Sequence, residues 1–185
     1  AEQLGRLGLK RGLSALPELP QEQALARLPY SSKRLRPKAV SDGTMPEEIR
    51  KAILQHIVDD DPDGARLLLD GIDALLSPEA RAEWRQRVAW SYYIENRDST
   101  ALALAQSVSE GAGPWVAEGE WTAGLAAWRL GDCSGAARSF TRAAELSSNI
   151  ELTTAAHYWA SRAYTRCRQP AQAVQHLRSA ARHDE

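Results

Sequence analysis

Aromatic rings and arginine guanidinium groups are the chemically informative side chains of this sequence, and they are concentrated in one part of it. Eleven of its 12 aromatic residues lie between Trp84 and Tyr164. Trp121, Leu125 and Trp128 follow an i, i+4, i+7 spacing, which places them on one stripe of a helix. Such a face can stack against sugars or hold an extended peptide, whereas the alternative is a stripe that packs in a helical core. The candidate ligand-binding face consists of Trp90, Tyr93, Trp121, Trp128, Arg129, Tyr158, Arg162 and Arg166.

Cys133 and Cys167 are the only cysteines and lie 34 residues apart. This separation is close to one period of the helical pattern described below, so the two residues fall on adjoining helices. A disulfide between them requires Cα atoms within about 7 Å of each other, and it would indicate an oxidising compartment. The alternative is two free thiols in a cytosolic protein.

Catalytic and metal-binding motifs are absent from the sequence. It has no glycine-rich phosphate loop, no His-Glu-x-x-His and no nucleophile elbow. The acidic run around Asp60 lacks the glycine and the terminal glutamate of a calcium loop. The four histidines are isolated along the sequence and are interpreted as structural or solvated: His56, His157, His176 and His183. We therefore predict no catalytic residue, no metal and no cofactor.

Composition and charge restrict the class of protein. The 185 residues are 43% apolar, which suffices for a core. The net charge of -1 and the pI of about 6.5 give no overall field that favours nucleic acid. No apolar run approaches the roughly 20 residues that a transmembrane helix needs. The chain is expected to bind no nucleic acid and to have no transmembrane segment.

A helical repeat is predicted from Pro46 onward. The pattern Ala-x3-apolar-x2-apolar begins at Ala65, Ala101, Ala136 and Ala173, which are 36, 35 and 37 residues apart. This period is close to the ~34 residues of the tetratricopeptide repeat (TPR). The predicted helix pairs are Pro46–Asp59 with Asp63–Leu76, Ser77–Asn96 with Ser99–Glu110, Ala117–Leu130 with Ser134–Leu146, and Glu151–Arg168 with Pro170–Arg182. The predicted fold is therefore all-α, a right-handed superhelix of TPR-like repeats, with an irregular helical bundle as the alternative.

Residues 1–45 differ from residues 46–185 and are predicted to form a basic N-terminal arm. Prolines and glycines interrupt this stretch, so only short helices fit, at Glu2–Leu13 and Gln21–Leu28. The first 38 residues contain eight basic and three acidic side chains. The basic residues are most closely spaced at the end of this stretch, at Lys33, Arg34, Arg36 and Lys38. Either this arm is solvated, or it docks on the acidic remainder of the chain.

One phrase of the sequence resembles a known family. It comprises Trp121-Thr-Ala-Gly-Leu-Ala-Ala-Trp128-Arg129-Leu-Gly131-Asp132, then Ala136-Ala137 and Phe140, then Ala156-His157-Tyr158-Trp159-Ala160-Ser-Arg162-Ala163. This phrase resembles the superhelical, non-catalytic region of bacterial soluble lytic murein transglycosylases. The resemblance is good over residues 83–185, fair over residues 47–76 and poor over the basic arm.

The resemblance implies a periplasmic protein, with its signal peptide removed, that takes part in peptidoglycan cleavage and the formation of anhydromuramyl products. Catalysis in that family belongs to a Glu-Ser pair on a separate lysozyme-like domain, and this sequence contains no Glu-Ser dipeptide. The chain is thus not expected to be an enzyme by itself. Its expected partners are glycan strands or a lysozyme-like catalytic domain. The alternative is a stand-alone TPR-like adaptor, in either the periplasm or the cytoplasm, that binds a peptide or protein in its concave groove.

Overall fold

The computed structural model describes residues 2–14 and 34–182, and throughout these ranges the regular structure is helical. The all-α prediction is therefore confirmed. The chain divides into two compact units, residues 1–32 and 33–185. In the first unit, α1 spans Glu2–Lys10, within the predicted helix Glu2–Leu13. The second helix predicted there, Gln21–Leu28, lies outside the described residues.

The second unit contains eight α-helices over its described residues, and each packs against the next one along the chain. Their bounds are α2 Glu47–Val58, α3 Pro62–Ile72, α4 Pro78–Ile94, α5 Asp98–Ser107, α6 Trp115–Arg129, α7 Cys133–Leu146, α8 Ile150–Arg166 and α9 Pro170–Arg182. Short 3-10 turns, Asp73–Leu75 and Val108–Glu110, follow α3 and α5. In addition to these sequential contacts, α6 packs directly against α4. This contact brings the first helices of two successive pairs together.

The turn inside each of the four helix pairs has the same backbone geometry. Each turn contains one residue in the left-handed region, namely Asp60, Asn96, Gly131 and Arg168, with φ of 56°, 58°, 83° and 59°. These positions are 36, 35 and 37 residues apart, the same spacings as those of the alanines in the sequence pattern. The N–H that follows each of them donates to the carbonyl five residues earlier, at 2.8 to 3.0 Å. This hydrogen bond closes the end of a helix in the manner of a Schellman turn.

Local side-chain chemistry starts half of the eight helices of the second unit. Ser77 caps α4 by accepting a hydrogen bond from the Ala80 N–H, and Pro78 occupies the first turn. Equivalent caps begin three other helices, and the four acceptor residues are Asp61, Ser77, Asp132 and Asn149, at 2.8 to 3.1 Å. These caps satisfy backbone donors that a helix leaves free at its beginning.

Small residues bring neighbouring helices close together, and large ones fill the space beside them. The four alanines that begin the repeat pattern are all buried: Ala65, Ala101, Ala136 and Ala173. One core cluster lies around α2 to α5 and includes Leu69 and Trp84. Another lies around α6 to α8 and includes Phe140 and Leu152. Among the described residues, no helix has both the length and the apolar character needed to cross a membrane.

Candidate functional site

The eight residues of the predicted binding face lie on the first helices of three successive pairs. Trp90 and Tyr93 lie on α4, Trp121, Trp128 and Arg129 on α6, and Tyr158, Arg162 and Arg166 on α8. The structure brings them together as two clusters, with Trp121 packed separately. We name these the α4 cluster (Trp90, Tyr93 and Arg129) and the α8 cluster (Trp128, Tyr158, Trp159, Arg162 and Arg166).

The α4 cluster is held by ionic and polar contacts. The Arg129 guanidinium lies 3.6 Å from the centre of the Tyr93 ring, which is itself 5.3 Å from the Trp90 ring. Arg129 also forms an ion pair with Asp98 and donates to the Asn96 side chain at 3.1 Å. Its charge is thus already satisfied within the protein, which leaves the cation little capacity for a ligand.

The α8 cluster combines exposed cations with partly exposed rings. The guanidinium of Arg166 lies 4.9 Å from the Trp128 ring, and that of Arg162 lies 4.7 Å from the Trp159 ring. The two indoles meet edge to face at 5.6 Å, and Tyr158 is 45% exposed. In the part of the chain that the structure describes, neither arginine forms an ion pair with a carboxylate. These rings and cations are therefore accessible to a ligand.

Trp121 differs from the other residues of the predicted face because it packs in the core. Its side chain is only 9% exposed, and its ring lies 5.4 Å from that of Phe140 on α7. The guanidinium of Arg34 lies over the Trp121 ring, 5.3 Å from its centre. Trp121 therefore links the helical core to a segment from the beginning of the second unit.

That segment, residues 34–40, has no helical structure and lies against α4 and α6; we name it the basic segment. Arg34 forms an ion pair with Glu118 on α6. The Arg36 guanidinium lies 5.3 Å from the Trp90 ring. Of the two hypotheses for the basic residues, docking on the helices is therefore the one that residues 34–40 follow.

Two backbone hydrogen bonds also hold the basic segment. The Val40 N–H donates to the Glu83 carboxylate at 2.6 Å, and the Trp115 indole N–H donates to the Lys38 carbonyl at 3.0 Å. Glu83 and Glu118 are only 1% and 2% exposed. Since a buried carboxylate is costly without hydrogen bonds or a cation, these contacts stabilise both the segment and the helices.

Glu83 and Glu118, the two buried acceptors that hold the basic segment, were not among the residues predicted from the sequence. A glutamate within a helix ordinarily indicates a solvent-facing position, so neither residue is conspicuous in the sequence. The available signal is the alternation of basic residues at Arg34, Arg36 and Lys38, which matches the period of an extended chain. Partial burial lowers the pKa of Arg36, while the negative charge of Glu118 opposes that shift.

The two cysteines are joined by a disulfide, with Cα atoms 5.6 Å apart. Cys133 is the first residue of α7 and Cys167 caps the end of α8, so the bond joins two successive helix pairs. It lies near the α8 cluster in the sequence, since Arg166 directly precedes Cys167. The disulfide thus constrains the helix that contributes most of that cluster.

Two histidines that are isolated in the sequence meet between α8 and α9. The ring Nδ1 atoms of His157 and His176 lie 3.0 Å apart, and Tyr164 stacks on the His176 ring. Burial lowers the pKa of His176, and Glu145 acts in the opposite direction. Among the described residues, no group of three His, Cys, Asp or Glu side chains is arranged to hold a metal ion.

No family model matches this chain, and no curated protein matches it either. The geometry of the two clusters, the basic segment and the disulfide is therefore what indicates a function.

Proposed function

We propose that this chain is the non-catalytic helical-repeat domain of a lytic-transglycosylase-like protein. In this proposal it supports peptidoglycan cleavage by a separate lysozyme-like domain and contacts glycan strands itself. The observation that carries the proposal is the α8 cluster, because its rings and the Arg162 guanidinium belong to the phrase that resembles the family. Trp128, Tyr158 and Arg162 all come from that phrase.

The repeated turns support a TPR-like superhelix as the scaffold of this domain. The four helix pairs share a turn with one left-handed residue and a buried alanine at a corresponding position, as expected of repeats that stack into a superhelix. The phrase also contains Gly124, at a close contact between α6 and α7. A Cβ atom added at Gly124 would lie 2.6 Å from the Phe140 ring. The phrase that resembles the family thus includes residues that set the distance between α6 and α7.

The chemistry of peptidoglycan suits the α8 cluster. Sugar rings present apolar C–H faces that stack on indole and phenol rings, and the peptide stems carry carboxylates that guanidinium groups bind. A periplasmic location is supported by the disulfide, since such bonds persist in oxidising compartments. The proposed partners are therefore glycan strands and a lysozyme-like catalytic domain.

Co-sedimentation with purified peptidoglycan sacculi tests this proposal. We expect the chain to sediment with the sacculi and to release no anhydromuramyl products detectable by mass spectrometry. The double variant Arg162→Ala/Arg166→Ala should lose most of the bound fraction. The control Arg138→Ala/Arg178→Ala, which removes two exposed arginines elsewhere, should bind as the wild type does. Equal binding by both variants, or measurable turnover by the chain, would contradict the proposal.

A second candidate function is that of a stand-alone TPR-like adaptor for a peptide or protein. The observation that favours it is the basic segment, which shows that the surface of α4 and α6 accommodates an extended chain. Reading the gene beyond the codon for residue 185 separates the two candidates. A Glu-Ser-containing lysozyme-like stretch in the same frame supports the first function, and a stop codon there supports the adaptor.

A further inference from the structure

We propose that the groove between α4 and α6 is a recognition site for an extended basic peptide of a partner protein, and that the basic segment is its intramolecular occupant. The recognised pattern is Arg-x-Arg-x-x-x-Val or a similar aliphatic residue, as in residues 34–40. The inference is independent of peptidoglycan binding, which concerns the α8 cluster. It gives the adaptor function a ligand of defined chemistry.

The first argument is the charge of the groove. Glu118 on α6 is almost fully buried, and Arg34 is the cation within ion-pair distance of it among the described residues. The two residues are 84 positions apart in the sequence. Glu83, by contrast, pairs with Arg87 of its own helix at 2.8 Å and keeps its second oxygen for the Val40 N–H. The helices thus present a buried carboxylate whose counter-ion is supplied by an extended segment.

The second argument is the form of recognition. Glu83 and Trp115 form hydrogen bonds with the backbone of the segment, at the Val40 N–H and the Lys38 carbonyl. Backbone contacts of this type hold any extended peptide, while side-chain contacts select its sequence. The backbone hydrogen bonds therefore provide affinity for any extended chain. The contacts of the side chains at positions 34 and 36 select its sequence.

The third argument is the alternation of the side chains. Arg34 and Arg36 stack over indole rings of α6 and α4, and Val40 packs against the apolar core. Leu35, between the two arginines, is 75% exposed. Successive side chains of an extended chain point in opposite directions, so Arg34 and Arg36 face the helices while Leu35 between them faces solvent.

The fourth argument is that the segment does not fill the space around it. One open cleft of about 480 Å³ is lined by residues 35–38 together with the turn between α7 and α8. Another of about 460 Å³ is lined by residues 39–43 together with α2 and α4. A partner peptide with larger side chains can therefore be accommodated beside the same backbone contacts.

Competition between the tethered segment and a free peptide tests the proposal. The probe is the octapeptide Arg-Leu-Arg-Pro-Lys-Ala-Val-Ser, which copies residues 34–41, and binding is followed by calorimetry. A tether supplies an effective concentration in the millimolar range, so the wild type should bind the probe weakly. The variant Arg34→Ser/Arg36→Ser, which weakens the internal occupant, should bind it at least about tenfold more tightly.

Two controls make the result decisive. A probe with glutamate in place of both arginines should not bind the double-serine variant, and that variant with the further change Glu118→Gln should bind the original probe less tightly. Failure of the folded double-serine variant to bind the probe at millimolar concentration would overturn the proposal. The segment would then be a permanent part of the fold.

Hydrogen exchange on the wild-type protein provides a test that does not depend on a folded variant. If the segment can leave the groove, the Val40 N–H exchanges through a local opening, faster than the core amides of α4 and α6. Exchange of Val40 at the rate of global unfolding would contradict the proposal. Neither outcome bears on the sacculus experiment, so the two proposals fail separately.

Discussion

The α4–α6 groove and the α8 cluster both place guanidinium groups over indole rings, but the arginines have different origins. In the groove, Arg34 and Arg36 come from an extended segment, and Arg34 pairs with the buried Glu118. In the α8 cluster, Arg162 and Arg166 lie on the helix itself, one turn apart, and are exposed. Helix geometry places Arg162 and Arg166 one turn apart, and Arg166 also donates to the Trp128 carbonyl on α6 at 3.2 Å, whereas the first pair is brought to the helices by an extended segment. The same pairing therefore stabilises the fold in one region and remains accessible to a ligand in the other.

Removal of the disulfide should have the largest effect and should act on the α8 region. In the double variant Cys133→Ala/Cys167→Ala, the free energy of unfolding should fall by about 4 kcal/mol, because the unfolded chain loses a cross-link that closes a loop of 34 residues. Urea denaturation measures this loss. Hydrogen exchange should accelerate in α8 and α9 more than at Val40; an equal acceleration in both regions would contradict the independence of the two sites.

Glu118→Ala should have the next largest effect and should act on the groove. The Arg34 guanidinium loses its carboxylate, and its Nε atom is already buried without a hydrogen-bond partner. We expect a loss of about 3 kcal/mol in the free energy of unfolding, from urea denaturation. Glu145→Ala, at an exposed position of α7, is the matched control and should change stability by less than about 0.5 kcal/mol. A similar loss in both variants would show that burial of Glu118 is not what matters.

Gly124→Ala tests the helix contact that lies between the two regions. The added Cβ atom would meet the Phe140 ring at 2.6 Å, so α6 and α7 must separate or the ring must move. We expect a loss of about 1 to 2 kcal/mol. Gly71→Ala is the matched control, since nothing lies within 4 Å of a Cβ atom at that helical position. It should stabilise the protein by about 0.5 to 1 kcal/mol, and thermal denaturation should separate the two variants in sign.

Arg166→Ala should cost less than about 1 kcal/mol, because a cation–π contact at an exposed site contributes little. This loss in the free energy of unfolding should be smaller than that of Glu118→Ala. The difference separates Arg34, which stabilises the fold, from Arg166, which is accessible. Chemical denaturation measures it. A loss as large as that of Glu118→Ala would mean that the α8 cluster is part of the core rather than a binding face.

The smallest effect concerns acidification of the α8–α9 contact. Because burial lowers the pKa of His176 below the ordinary histidine value of about 6.5, the unfolded state binds a proton more readily than the folded state does. Stability is therefore complete above about pH 6.5 and falls as the pH is lowered below that value. The fall in melting temperature between about pH 7.5 and 5.5 should be smaller in His176→Gln than in the wild type. An unchanged pH dependence in the variant would contradict this assignment.

Local signals made most of the fold predictable. The Ser77-Pro78 start of α4 and the turn at Gly131 depend on residues that are neighbours in the sequence, so their geometry can be anticipated from capping and turn preferences. Ala65, Ala101 and Ala136 recur at nearly equal spacing because each lies where the two helices of one repeat pack together. That contact joins residues close to each other in the sequence. For these reasons the predicted helix pairs lie close to the observed ones.

The groove could not be predicted, because it joins residues that are distant in the sequence. Nothing local distinguishes the buried Glu118 from an exposed glutamate such as Glu145. The contact of His157 with His176 likewise depends on how α8 and α9 pack. Of the predicted face, the residues of α8 lie in an accessible cluster. Helical periodicity placed Trp121 on the same face, but its side chain packs in the core.

The four left-handed turns have a consequence for how such a chain can change in length. Removal of residues 97–131, one full period, would join Asn96 directly to Asp132 and recreate a turn of the same geometry. Gene duplication or deletion in units of one period therefore requires no new turn sequence. The number of helix pairs can vary during evolution while the individual turns stay unchanged.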